Sequence, residues 1–253
     1  QPRSRGLGDV YKRQGPHMDT VGVEGMTIDP FGGELHHQRV WGRGASDTKG
    51  SMAAMLWALL KHQKDLAAMP IAVDFVAFMG EESGQWGSKH FAQRHAADYA
   101  FAVIGEPTSL DVVYSTKGSS WIILGARGKA AHSSMLHMGD NAVLKLSSAI
   151  AALLPALQER LTAYDHPLLG KNTVNVGSFH GGTRANIVPD WAEVEMDIRT
   201  TPGLQAAGGA VALVREQILA QQLPLEMVRQ HENLPMETSL EYPLLQLLLH
   251  ARL

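Results

Sequence analysis

Residues 71–84 read Ile-Ala-Val-Asp-Phe-Val-Ala-Phe-Met-Gly-Glu-Glu-Ser-Gly. The first nine are nearly all apolar, with β-branched and aromatic members and no alternation. Such a run, stopped by Gly80, has the pattern of a strand buried on both faces, as in a parallel sheet. Two carboxylates, Glu81 and Glu82, follow directly on it. Adjacent acids repel one another and resist desolvation, so in a buried spot they need a cation. The carboxyl end of a strand is also where open α/β sheets place their sites. One carboxylate can then ligate a metal while its neighbour acts as general base. Taken alone, the pair also reads as a solvated loop.

Working outward, residues 99–104 read as a second buried strand, and 51–62 and 87–95 as helices. In the first helix Met52, Met55, Leu56, Leu59 and Leu60 recur at spacings of three and four. Strand and helix alternate over 15–112, which predicts an α/β layer fold with a mostly parallel sheet. The pattern changes near Lys117. Residues 121–126 read as a strand and 140–161 as a long helix that Pro155 should kink or break. Residues 173–179 and 191–198 alternate as half-buried strands, 204–222 read as a helix, and 225–229 as a strand. That order, β-α-β-β-α-β, predicts a ferredoxin-like α+β domain inserted in the α/β fold. The expected divisions are 15–114 for the first part of the α/β domain, 115–233 for the insertion, and 234–253 for the start of the return. Residues 1–14 fit neither domain and carry no apolar signal-peptide core, so they are expected to be an anomalous segment. The apolar helix expected at 240–253 has nothing after it to cover it, and both ends are expected to be those of a piece of a longer protein.

The composition narrows the chemistry. The chain has 253 residues and is 45% hydrophobic against 19% charged, which argues against disorder as its main state. Its net charge of −3 lacks the basic excess of a dedicated nucleic-acid binder. No window reaches the roughly 18 uninterrupted apolar residues that a membrane span needs. A cytoplasmic location is expected. Cysteine is absent, so thiolate nucleophiles and Cys-based metal sites are excluded, and any metal must be held by His, Asp and Glu.

Three further stretches carry candidate ligands. In Gly15-Pro16-His17-Met18-Asp19-Thr20-Val21, a His and an Asp two apart suit a ligand and the carboxylate that fixes its tautomer; a turn with a solvated Asp reads equally well. In Gly42-Arg43-Gly44-Ala45-Ser46-Asp47-Thr48-Lys49-Gly50, small residues surround one Asp just ahead of a helix, where a plain capping role is the alternative. Gly105-Glu106-Pro107-Thr108 places Glu106 beyond the second expected strand. His17, Asp47, Glu82 and Glu106 thus all fall on loops or strand ends, and together they supply most of a two-metal centre.

These motifs, in this order, resemble the M20 family of zinc-dependent aminoacylases and carboxypeptidases, above all its acetylornithine deacetylase and succinyl-diaminopimelate desuccinylase branch, with glutamate carboxypeptidases as near relatives. The resemblance runs from about Gly15 to the end. It implies that His17 binds one zinc with Asp19 orienting it, and that Asp47 bridges two. It also implies that Glu81 is the general base, Glu82 a ligand of the second zinc and Glu106 a ligand of the first. It makes the inserted domain the lid and dimerisation domain. There Gly128-Lys129-Ala130-Ala131-His132-Ser133 matches the histidine that reaches the partner subunit's site and stabilises the tetrahedral intermediate. Asn186, in Gly181-Gly182-Thr183-Arg184-Ala185-Asn186, and Arg199, in Asp197-Ile198-Arg199, resemble the residues that grip the substrate carboxylate and nearby backbone. The implied reaction is metal-dependent hydrolysis of an N-acyl amino acid, or of a short peptide in the carboxypeptidase alternative. The implied cofactors are two divalent ions, zinc first, with cobalt or manganese suited to the same donors. The implied assembly is a homodimer through the lid, with no nucleic-acid or membrane partner. A non-catalytic metal-binding protein of the same fold is the reading from a different class; the presence of Glu81 argues against it. Two departures stand out. Pro16 lies between Gly15 and His17, and the family's last zinc ligand, a late histidine, has no counterpart, since His250 falls in a predicted helix. The chain by itself is therefore expected to be short of a ligand and inactive.

Overall fold

The structure is a computed structural model that describes residues 16–70 and 72–251. The expected anomalous segment 1–14, Gly15, Ile71 and the last two residues lie outside the described residues. The chain divides into two compact units, Gln1–Val112 and Val113–Leu253.

In the first unit, β1 (Glu34–His36) and β2 (Arg39–Trp41) form an antiparallel hairpin. Three helices follow: α1 (Ser51–Lys61), α2 (Gln63–Ala68) and α3 (Trp86–His95). Phe91 on α3 packs its ring on Phe78 and Tyr99, at centroid distances of 5.5 and 5.6 Å. The Tyr99 hydroxyl donates to Asp74 Oδ2 at 2.7 Å. These contacts tie α3 to both apolar runs.

The mostly parallel sheet expected here is corrected by the structure. Among the described residues every paired strand is antiparallel. Among the described residues of this unit the one parallel contact is an isolated bridge between His17 and Phe78, made by Met18 N–H to the Phe78 carbonyl at 2.8 Å and Phe78 N–H to the Pro16 carbonyl at 3.1 Å. No β-ladder among the described residues includes 72–77 or 99–104. Val73 and Val103 are 48% and 53% exposed. The physical reason is that an apolar run records hydrophobicity, whereas a parallel strand is a pairing that needs crossover-linked neighbours on its flanks.

The second unit is built on a four-stranded antiparallel sheet. Its strands and helices, in chain order, are β3 (Ser115–Thr116), β4 (Gly118–Arg127), β5 (Ala131–His132), α4 (Ala142–Leu161), β6 (Thr173–Gly181), β7 (Ile187–Val188), β8 (Trp191–Thr200), α5 (Pro202–Ala206), α6 (Gly209–Ala220), β9 (Glu226–Asn233), β10 (Met236–Glu237) and α7 (Pro243–His250). The sheet order is β6-β8-β4-β9, while β3 pairs with β10 and β5 with β7. On β8 the alternation is complete: Ala192, Val194, Met196 and Ile198 are fully buried, and the residues between them face the other way. Ile122, Leu124 and Ala126 of β4 join them on the core face.

Helix α4 covers that face with Leu146, Ile150, Leu153, Leu157 and Leu161, spaced by three and four. The Asn141 side chain caps it by accepting from Leu144 N–H at 3.1 Å. The helix runs through Pro155 without the break that is one of the two expected outcomes. Pro155 and Ala151 are both exposed residues, on the side of the helix away from the core. Ala142–Tyr164 is the one stretch among the described residues long and apolar enough to cross a membrane, yet its apolar stripe is spent on this core. The single helix expected over 204–222 is two, because Gly208 takes a left-handed φ of 109° between α5 and α6.

Candidate functional site

The first unit gathers its acidic and histidine residues around His17. The bridge to Phe78 buries this side chain to 2% exposure. Its Nδ1 lies 2.8 Å from the Asp19 carbonyl, which can only accept, so Nδ1 carries a proton. Nε2 then points at Asp47 Oδ1, 2.9 Å away. Burial alone would lower the His17 pKa. The Asp47 hydrogen bond, the Asp19 carbonyl and the carboxylates of Glu106 and Glu81 outweigh it and raise the pKa above its usual value.

Asp47 sits in an irregular turn just ahead of α1, and the Asp47–Thr48 peptide is cis. The turn is stitched to the Glu106 segment. Ser51 Oγ donates to the Gly105 carbonyl at 2.8 Å, and the buried Thr48 hydroxyl donates to the same oxygen. Gly105 must be glycine for this approach, since a Cβ there would meet Ser51 Cβ and Oγ at 2.9 Å.

Asp19 does something other than the tautomer fixing expected of its carboxylate. The carboxylate stands 3.7 Å from His17 Nδ1 and instead accepts the backbone N–H groups of Glu81 (3.2 Å) and Glu82 (3.1 Å). Burial pushes its pKa up, but these two donors pull it below the usual carboxylate range. Asp19 thus orients His17 through its backbone and the paired glutamates through its side chain.

His17, Asp47 and Glu82 each offer a ligand atom, and these atoms all lie within 4.8 Å of one another. Glu106 is the electrostatic fourth member. Burial pushes its pKa up to about 7, helped by the Asp47, Glu81 and Glu82 carboxylates and opposed by His17. Its Oε1 is buried with no hydrogen-bond partner. An orphaned carboxylate oxygen among other acids is what a site for a divalent cation leaves when described without its ion. The donors, imidazole and carboxylate without thiolate, fit zinc, cobalt or manganese. The geometry defines one such cation site. Beside it, Met18, Lys49, Met52, Ala53 and Leu56 line a shallow concavity of about 330 Å³.

The three remaining site residues belong to the second unit. His132 on β5 is paired with Ile187 on β7, next to Asn186, whose carbonyl accepts from Ser133 N–H at 3.0 Å. Ser134 N–H donates to His132 Nδ1 at 3.2 Å, which leaves the ring proton on Nε2. Arg199 is not brought to them. It lies eight residues after Trp191 along β8, roughly 26 Å at the rise of a strand. Trp191 marks the end of the sheet near β7, whereas Arg199 pairs with Ser119 and Thr173 at the other end. Late in the chain, His250 caps the end of α7, its Nδ1 2.6 Å from the Gln246 carbonyl.

Sequence reasoning missed Thr48, Ser51 and Asp197 as site neighbours. Only the last had a readable signal: residues two apart on a strand share a face.

The first unit is therefore a metal-binding domain with a nitrogen and oxygen donor set. The chain belongs to peptidase family M20/M25/M40, whose sequence model matches residues 15–242. It is 35% identical over 195 residues to an acetylornithine deacetylase of Pectobacterium carotovorum, covering 74% of this chain and 50% of that protein. It is 36% identical over 176 residues to a probable carboxypeptidase of Aspergillus flavus, covering 64% and 40%. The chain spans about half the length of the curated relatives it matches. Among solved structures, an M20 family metallo-carboxypeptidase of Sulfolobus solfataricus shares the fold, with a TM-score of 0.66 at 20% identity over 91% of this chain and 66% of that one.

Proposed function

We propose that this chain carries the metal-binding and substrate-contacting residues of a hydrolase that cleaves the amide bond of an N-acyl amino acid. The observation that carries the reading is the His17, Asp47 and Glu82 group, with the orphaned Glu106 oxygen close enough to be coupled to it. In this reading two divalent ions, zinc first, would be held by His17 through Nε2, Asp47, Glu82 and Glu106, with Asp47 shared between them, Glu106 on the first and Glu82 on the second. When bound, the ions would supply the Lewis acidity that eases deprotonation of water and attack on the amide carbonyl.

The chain's own residues do the rest. Glu81, held at its backbone by Asp19, takes the proton from water and hands it to the leaving nitrogen. His132 donates from Nε2–H to the oxygen that gains charge. Asn186 and Arg199 hold the substrate carboxylate, the latter through its fork of parallel N–H groups. One copy of the second unit carries Arg199 and the His132–Asn186 pair too far apart to touch one small substrate. This supports a homodimer in which residues 115–233 lend His132 and Asn186 to the partner's site.

A carboxypeptidase is the second reading, favoured by the similarity to the Aspergillus flavus protein. The test is turnover of N-acetyl-L-ornithine, N-succinyl-L,L-diaminopimelate and a glutamyl dipeptide by zinc-loaded protein that carries this chain at the length of its relatives, with Glu81→Gln as control; the chain alone is expected to be inactive. Hydrolysis of either acyl amino acid that Glu81→Gln abolishes supports the deacylase, and dipeptide cleavage alone supports the carboxypeptidase. Failure to bind zinc stoichiometrically would sink both.

A further inference from the structure

On the outer face of the four-stranded sheet, Arg199 donates from Nε to Asp197 Oδ2 at 2.9 Å, and its Nη2 lies in ion-pair contact with the same oxygen, also at 2.9 Å. Asp197 lies in a row that crosses all four strands, with Asn175 on β6, Trp121 on β4 and His231 on β9. Its other oxygen, Oδ1, is shut off from solvent and has no hydrogen-bond partner. The Asp197 side chain is 27% exposed and that of Arg199 is 52%. An ordinary surface ion pair keeps its carboxylate in water and contributes little. This one gives up the hydration of Oδ1 while gripping the guanidinium by a single edge.

A guanidinium held by its Nε–H, with Nη2 beside the same oxygen, keeps the N–H bonds of Nη1 and the outward one of Nη2 for another partner. Those form the end-on fork that matches a carboxylate in plane. We infer that Asp197 is a positioning residue: it turns the Nη1–Nη2 fork of Arg199 outward and fixes its plane, so that the site selects a carboxylate by orientation as well as by charge. This rests on the reading above that Arg199 grips the substrate carboxylate.

The test is calorimetric titration of the zinc-loaded chain with two probes, N-acetyl-L-ornithine and its carboxamide. Asn is isosteric with Asp, Leu keeps its branched shape at larger volume, and only Asn can accept from Arg199. Wild type binds the carboxylate more tightly than the carboxamide, and Arg199→Ala abolishes that preference. Asp197→Asn keeps carboxylate affinity to within about threefold. Asp197→Leu loses roughly tenfold in carboxylate affinity, with carboxamide binding unchanged. If Asp197→Leu retains the preference that Arg199→Ala loses, Asp197 does not position the arginine, and the role of Arg199 stands. If wild type shows no preference, or Arg199→Ala keeps it, the role of Arg199 fails and this inference with it. Nitrogen-15 spectra read the contact without the leucine variant: slow exchange of the Arg199 Nε–H in wild type and Asp197→Asn supports the grip, and fast exchange in wild type overturns it.

Discussion

His17 Nε2 and Asp47 Oδ1 meet at 2.9 Å across thirty residues of sequence, while His17 Nδ1 is committed to the Asp19 carbonyl. Without a metal, the bond to Asp47 needs a proton on Nε2. With a metal, that proton must leave, because the same lone pair becomes the ligand. Binding zinc therefore releases protons near neutral pH. Calorimetry in buffers of different ionisation enthalpy measures this directly. Replacing His17 by Gln, or Asp47 by Ala, weakens zinc binding by at least roughly 100-fold, more than loss of an outer-shell partner does. A chelator competition titration that shows wild-type affinity for Asp47→Ala would remove Asp47 from the ligand set.

The pH dependence of stability follows from Glu106 and His17. Folding raises the Glu106 pKa from 4.5 to about 7 and raises that of His17 from 6.5. A group with a raised folded pKa contributes stability that is complete below its unfolded value and lost as pH climbs through the folded one. The metal-free chain should therefore lose melting temperature between pH 4.5 and about 7 through Glu106, and from pH 6.5 upward through His17. The stabilisation that zinc adds should grow over the same range, because zinc needs both groups deprotonated. Glu106→Gln flattens the metal-free profile. An unchanged slope in that variant would show that Glu106 ionises as it does in water.

Asp19 has the opposite sign. Its folded pKa is depressed below 3.8 by the N–H groups of Glu81 and Glu82. That stability is present above the unfolded value and disappears as pH falls through the folded one. Asp19→Ala leaves two N–H donors without their acceptor, at a cost of about 1–3 kcal/mol, and lowers zinc affinity by roughly tenfold through the displaced glutamates. Urea unfolding and the chelator titration read the two effects separately.

Gly105→Ala probes the stitch between the Asp47 turn and Glu106. The added methyl meets Ser51 Oγ at 2.9 Å and Met55 Cε at 3.1 Å, so α1 must shift. Overpacking of this kind costs about 1–3 kcal/mol. The distinctive outcome is weaker zinc binding from a residue that offers no ligand; intact affinity would show that the turn adapts.

In the second unit, Leu153 is fully buried between α4 and the sheet. Leu153→Ala destabilises by about 2–5 kcal/mol, through lost burial plus the cavity left behind. Thermal melting followed by circular dichroism checks it.

How much was legible varied with the kind of signal. The alternation over 191–198 and the three-four spacing in 140–161 each specify one buried face, and β8 and α4 present those faces to one core. The break at Gly208 was hidden, because a helical pattern continues across it while the backbone does not. The runs 72–79 and 99–104 misled more seriously. Their apolarity is real, but strand pairing depends on what lies alongside, and no local pattern contains that. The metal group was legible as residue types: a histidine, isolated acids and a double glutamate beside glycines. Its wiring was not. No spacing says that Asp19 turns its carboxylate to Glu81 and Glu82, or that the Thr48 and Ser51 hydroxyls reach the Gly105 carbonyl.

The sequence by itself determined the donor chemistry, since a chain without cysteine can hold a metal only through imidazole and carboxylate. It also determined which stretches of the second unit bury which side chains, because amphipathic periodicity is a local property of the chain. Only the tertiary structure decided which donors meet, which imidazole nitrogen faces them, and that Arg199 stands at the end of the four-stranded sheet away from the β5–β7 pair that carries His132. Those facts depend on distances between segments far apart in sequence, set by long-range hydrogen bonds and strand register.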